Sequence, residues 1–92
     1  MDDTGIIDLL FAREERAVME LQRKYGGLCR SMAANLLGAP QDVEECLSDL
    51  WYAVWQRIPP ERPRAMGAFL GRIVRNLAIS RYRESHAQKR GG

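Results

Sequence analysis

Apolar residues recur along this 92-residue chain at intervals of three and four, and no stretch alternates with period two. That spacing predicts helices and supplies no strand. A first helix is expected from about Ile6 to Tyr25, with Ile7, Leu10, Phe11, Val18, Leu21 and Tyr25 on its apolar side. Gly26-Gly27 is expected to end it, as glycine does where the chain leaves helical dihedrals. A shorter second helix would carry Leu28, Met32, Leu36 and Leu37 and stop at Gly38. Pro40 suits the first turn of a third helix, where its missing N–H costs nothing. Ala39 before it is a poor cap, so Asp42, Glu44 and Glu45 are expected to complement the positive helix end. Val43, Leu47, Leu50 and Val54 form its inward stripe, and Ile58-Pro59-Pro60 breaks it after about Arg57. The loop to Arg64 holds Pro59, Pro60 and Pro63 and is expected to be stiff. A fourth helix from about Ala65 packs Met66, Leu70, Ile73, Val74 and Leu77 inward, with Phe69 at the border. The expected fold is all-α: a compact bundle of about four helices around one core.

Composition narrows the function classes. With 46% hydrophobic and 28% charged residues, the chain reads as one small soluble domain. No apolar run approaches the roughly 18 residues of a membrane span. The N-terminus, Met-Asp-Asp-Thr, lacks the basic stretch of a signal peptide, so no membrane contact and a cytoplasmic location are expected. Cys29 and Cys46 are too few for a disulfide framework and read as small buried apolar residues. The single histidine, His86, lies in a basic tail and reads as a surface residue. No nucleophile–base set, phosphate loop or metal-ligand spacing occurs, so neither an enzyme nor a cofactor is expected. The chain reads as a binding module.

Charge then locates the binding. Through Gln56 there are ten acids against five bases, a net of −5; from Arg57 onward nine bases face two acids, a net of +7. Such asymmetry points to two partners of opposite sign. On the third helix Asp42, Glu45, Asp49 and Gln56 fall within about 60° of one another, opposite Val43, Leu47 and Val54. Tyr52 borders that face, and Trp51 and Trp55 sit at the edge of the apolar stripe. A solvated face with two core tryptophans would look the same, but aromatics beside carboxylates also make protein-binding hot spots. On the fourth helix Arg72, Arg75, Asn76, Ile79 and Arg83 lie away from Leu70, Val74 and Leu77. From Arg62 to Arg83 there is no acid, while arginine stands at 62, 64, 72, 75, 81 and 83. The helix dipole alone would favour Arg81 and Arg83 near the helix end, but not Arg72 and Arg75 in its middle. An acid-free face carrying an asparagine, followed by Lys89-Arg90, points to nucleic acid.

The order of these features resembles region two of bacterial RNA polymerase sigma factors of the extracytoplasmic-function type. The resemblance spans about Ile6 to Arg83. It is strongest over Gly38-Ala39-Pro40-Gln41-Asp42-Val43-Glu44-Glu45-Cys46-Leu47-Ser48-Asp49-Leu50-Trp51-Tyr52-Ala53-Val54-Trp55. A second match is Phe69-Leu70-Gly71-Arg72-Ile73-Val74-Arg75-Asn76-Leu77-Ala78. Ala17-Val18 through Leu21 and Tyr25 to Leu28 is similar but weaker. The resemblance implies a transcription initiation factor domain whose acidic third helix grips the clamp coiled coil of the polymerase β′ subunit. That role would fall on Glu45, Ser48, Asp49, Tyr52, Trp51 and Trp55. Ser48 stands where the family has glutamine, and Asp49 where it has glutamate, a reach shorter by one methylene.

The resemblance further implies that the fourth helix and preceding loop melt the minus-ten promoter element and hold a flipped base of the non-template strand. Asn76 matches the family's base-reading asparagine, and Arg62, Arg64, Arg72, Arg75, Arg81 and Arg83 would meet the DNA, the helical ones along its phosphates. The loop 58–64 carries no aromatic to stack on a base. Anti-sigma factors are a candidate further partner. Residues 1–84 are expected to be the domain, and residues 85–92 a basic tail starting a linker to a second domain that reads the minus-thirty-five element. Two alternatives belong to other classes: a helical protein-interaction module without DNA binding, and a helix-turn-helix repressor on duplex DNA. The turn before the basic helix is longer than the usual three to four residues of that motif, which counts against the repressor.

Overall fold

Asp2 starts the first helix by accepting a hydrogen bond from the Gly5 amide at 2.8 Å, the ordinary N-terminal cap. The computed structural model describes the backbone of residues 1–91 and the side chains of residues 1–85. It contains α1 (Asp3–Phe11), α2 (Arg16–Leu36), α3 (Pro40–Arg57) and α4 (Met66–Gly91). The described residues are all-α, as expected. The expected roles of His86, Lys89 and Arg90 in the basic tail fall outside the described side chains. Among the described residues no helix is long and apolar enough to cross a membrane.

The boundary between the first two helices differs from the expectation. The chain leaves α1 at Ala12 and turns through Arg13, whose φ of 59° lies in the left-handed region. The Arg13 amide donates to Leu10 O and the Glu14 amide to Leu9 O, which satisfies the last carbonyls of α1. Gly26-Gly27 does not end a helix; it sits in the middle of α2. The reason is tertiary. Ala17, Leu21, Cys29 and Ala33 are buried and Tyr25 is half-buried, a row at strict spacing of four. Burying such a row over the length of α2 outweighs the ~1 kcal/mol that each glycine costs a helix interior.

A row at spacing four slants by about 26° across its helix. The neighbours of α2 therefore meet a face that turns along its length. By its second half they cover Cys29 and Ala33 rather than Leu28 and Leu36, which are 52% and 39% exposed. The expectation that Leu28 and Leu36 face inward is thus corrected. At Gly71 an added Cβ would stand 3.2 Å from the Met32 methyl.

Helix α3 begins at Pro40 with no side-chain cap from Ala39. It buries Val43, Cys46, Leu47, Leu50 and Val54. Ile58, the residue after it, is fully buried and donates its amide to Val54 O. The presumed helix breaker is therefore also a core residue. α4 buries Met66, Leu70, Ile73, Val74 and Ala78, with Phe69 and Leu77 half-buried. α3 and α4 run antiparallel: Cys46 lies against Val74, and Arg57 against Phe69 at the other end. Cys29 and Cys46 are buried free thiols, and burial pushes both thiols up from their ordinary range. Asp3 ties α1 to α2 by accepting from Lys24 Nζ and from the Tyr25 hydroxyl, each at 2.8 Å. The Lys24 hydrogen bond holds the Asp3 carboxyl below its usual range.

These observations predict a contrast in urea unfolding. Leu50→Ala and Leu70→Ala should each cost ~2–5 kcal/mol. Arg75→Ala, on the exposed side, should cost under about 0.5 kcal/mol. Gly26→Ala and Gly27→Ala should each stabilise by about 0.5–1 kcal/mol. No atom lies within 4 Å of an added Cβ at either glycine, and neither has a positive φ. Loss of stability in both glycine variants would contradict an uninterrupted α2.

Candidate functional site

The exposed side of α3 begins with Asp42, half-buried, and continues through the exposed Glu45, Ser48, Asp49 and Tyr52. Tyr52 is 63% exposed, and its hydroxyl accepts from Gln56 Nε2 at 2.9 Å. Trp51 and Trp55 are half-buried against the core. Together with Glu15, Val18, Met19 and Gln22 of the α2 side, Trp51, Tyr52 and Trp55 line an open apolar groove of about 430 Å³. Ser48 and Trp51 also face a second groove of about 440 Å³, walled by Arg30 and Glu44 and bordered by Gly26 and Gly27. Arg30 donates to Glu44 across its mouth, which raises the one group and lowers the other from their ordinary pKa values. The glycine pair gives this groove its room, since no side chain stands above it.

One residue of this face escaped the sequence reading. The Arg13 guanidinium lies 3.7 Å from the centre of the Trp55 ring. It donates to Trp55 O at 2.9 Å and to Ile58 O at 3.0 Å. It thereby satisfies two carbonyls at the end of α3 and holds Trp55 in place. An arginine between Ala12 and Glu14 carries no spacing signal that would reveal this.

The second face is built by the loop 58–65 and α4. Arg62, Arg64, Arg72, Arg75, Asn76 and Arg83 are exposed. Among the described residues none of these arginines forms an ion pair. Arg62 stacks over Phe11, 4.1 Å from the ring centre, which fastens the loop to α1. Arg64 and Arg72 line a cavity of about 260 Å³ together with Pro63, Phe69, Arg57 and Glu61. Arg57 donates to Glu61 at 2.6 and 3.2 Å and sits 5.0 Å from the Phe69 ring centre. The hydrogen bond between them raises Arg57 and lowers Glu61. The loop lacks an aromatic, as read from sequence, but α4 supplies Phe69 to the same cavity.

Arg81 stands apart from the other arginines. It is 27% exposed and reaches back to α3, donating to Glu45 Oε1 at 2.7 Å and to Asp49 Oδ2 at 3.0 Å. The Asp49 hydrogen bond, then that of Glu45, raises its pKa. The structure thus brings together residues assigned from sequence to different faces.

A sequence profile of the Sigma-70 region 2 family matches residues 21–88, more than half of the chain. The chain belongs to the sigma-70 region 2 family. No curated protein and no solved structure matches it. A sigma-70 region 2 domain is part of a transcription initiation factor: in general it binds RNA polymerase and takes part in melting promoter DNA.

The Arg13 arrangement predicts an unusual order of effects. Arg13→Ala should cost about 1–2 kcal/mol, through two lost charge-assisted hydrogen bonds at a partly exposed site. Arg13→Gly should cost less, because glycine adopts the φ of 59° without strain. Both should shift tryptophan emission, read during thermal unfolding. Equal losses in the two variants would remove the backbone contribution.

Proposed function

We propose that the chain is region 2 of an extracytoplasmic-function sigma factor working on bacterial RNA polymerase in the cytoplasm. α3 holds the polymerase and α4 handles the melted minus-ten element. The observation that carries this reading is the segregation of charge across one antiparallel helix pair. Glu45 and Asp49 lie with Tyr52, Trp51 and Trp55 on one face, while Arg72, Arg75, Asn76 and Arg83 lie on the other without a carboxylate partner. In this reading the basic clamp coiled coil of β′ meets Glu45, Ser48, Asp49 and Tyr52. Its apolar side meets Trp51 and Trp55.

The DNA side follows from the same arrangement. Arg72, Arg75 and Arg83 track the non-template strand, and Asn76 reads a base edge. A flipped base enters the cavity between the loop and α4, where Phe69 offers a stacking surface and Arg64 a cation. Extruding a base costs a few kcal/mol, which stacking of ~1–3 kcal/mol and phosphate contacts offset. No carboxylate stands between Arg62 and Arg83 because a polyanion lies along that stretch.

Two measurements test the proposal. Wild type should capture a β′ clamp fragment, and Asp49→Lys should not; equal recovery would remove α3 from the interface. For DNA, fluorescence anisotropy with labelled single strands should show three phosphates neutralised by the isolated domain. The salt slope is then about −2, and raising salt from about 50 to 200 mM weakens binding ~20-fold. Asn76→Ala should flatten sequence preference at unchanged slope, whereas Arg75→Ala should weaken all sequences alike. Tighter binding to duplex than to single strand would instead favour a repressor.

A further inference from the structure

Arg81 belongs by position to the basic helix, yet its guanidinium is held by two carboxylates of the facing helix. Glu45 and Asp49 are one turn apart on α3, so one planar guanidinium reaches both, with one N–H group on each. Asp42 and Glu84 share a small cavity with Arg81, which makes it a cation among four acids. All three members of the bridge retain contact with water: Glu45 is 48% and Asp49 53% exposed. A bridge so exposed is weak enough to be exchanged for other partners.

We propose that Arg81 is a coupling residue, passed from Glu45 and Asp49 to a DNA phosphate when a basic protein surface takes over those two carboxylates. This rests on the reading of α3 as the polymerase face and α4 as the DNA face. In the isolated domain the bridge has two consequences. It occupies the acids that the protein partner needs, and it withholds one cation from the DNA. Engagement of α3 by a basic coiled coil replaces Arg81 at Glu45 and Asp49. The freed arginine then adds a fourth phosphate contact. By linkage the effect is reciprocal: phosphate on Arg81 frees the acids and tightens the protein partner equally. Because each ion pair is exposed, the coupling belongs at the low end of the usual range, about fivefold. Arg72, Arg75 and Arg83 have no such bridge and contribute to DNA affinity whether or not the protein partner is present.

The test compares single-stranded DNA affinity and salt slope in four proteins: wild type, Glu45→Gln/Asp49→Asn, Arg81→Gln, and the triple variant. Glu44→Gln, which removes one charge from the same helix outside the bridge, controls for general electrostatics. The double variant mimics the partner-bound state. It should bind the strand about fivefold more tightly than wild type, with a slope steeper by about 0.7. In the Arg81→Gln background the same two substitutions should change affinity less than twofold and leave the slope alone. An equal gain in both backgrounds, or an unchanged slope in the double variant, would overturn the coupling while leaving DNA binding intact. Absence of any single-strand binding by wild type and double variant would instead overturn the underlying reading, and the coupling with it.

Discussion

The packing of α2 against α3 and α4 is the constraint on which the other features depend. It is set by a row at spacing four in which Ala17, Cys29 and Ala33 are small and fully buried. A helix that presents small residues to its neighbours gains dispersion contact along a narrow line, and that line slants with the row. α3 and α4 are then fixed side by side and antiparallel, with Cys46 against Val74 and Leu50, Val54, Leu70 and Ile58 in the common core. Arg72, Arg75 and Arg83 are carried on the exposed side of α4, while Arg81 reaches across to Glu45 and Asp49 of α3. Among the described residues the core contains no buried polar or charged residue. The stability of the domain is therefore separated from its charge pattern, which leaves the exposed faces free to be strongly acidic and strongly basic.

The helical class, the α3 stripe and the α4 stripe were legible because their apolar residues repeat without interruption. Val43, Leu47, Leu50 and Val54 are buried, as are Met66, Leu70, Ile73 and Val74. The α1–α2 boundary was not legible. Glycines normally punctuate, but Gly26-Gly27 lies in a helix whose packing overrides local propensity. The true turn at Arg13 contains neither glycine nor proline and is sustained by contacts 42 and 45 residues away in sequence. Leu28 and Leu36 are exposed because the buried face of α2 runs through Cys29 and Ala33 instead.

The charged surfaces were legible as faces but not as geometry. Counting acids and arginines located the α3 and α4 faces, since charge and periodicity are both local properties. Sequence spacing gave no means of seeing that Arg81 turns towards Glu45 and Asp49, 36 and 32 residues earlier. It likewise could not show that Phe69 serves the cavity for which the loop provides no aromatic. Contacts between elements depend on the rotation of one helix about its axis relative to another. A shift of one residue turns a side chain by about 100°.

Charge segregation on adjacent helices raises a physical question that the bridge helps to answer. Acids on α3 and arginines on α4 would attract one another across the short distance between antiparallel neighbours, and full pairing would neutralise both surfaces. The helix wheels prevent this. Arg72, Arg75 and Arg83 point away from the α3 side, and the apolar residues Leu70, Val74 and Ala78 occupy the contact line. Among the described residues, only at Arg81, three residues past the buried Ala78, does the contact line end and an arginine of α4 meet acids of α3. The core thus keeps two opposite charge fields apart over most of the helix pair and lets them touch at one end. A domain that carries a cationic and an anionic partner, as proposed, needs this insulation, and Arg81 marks a point where the two surfaces touch.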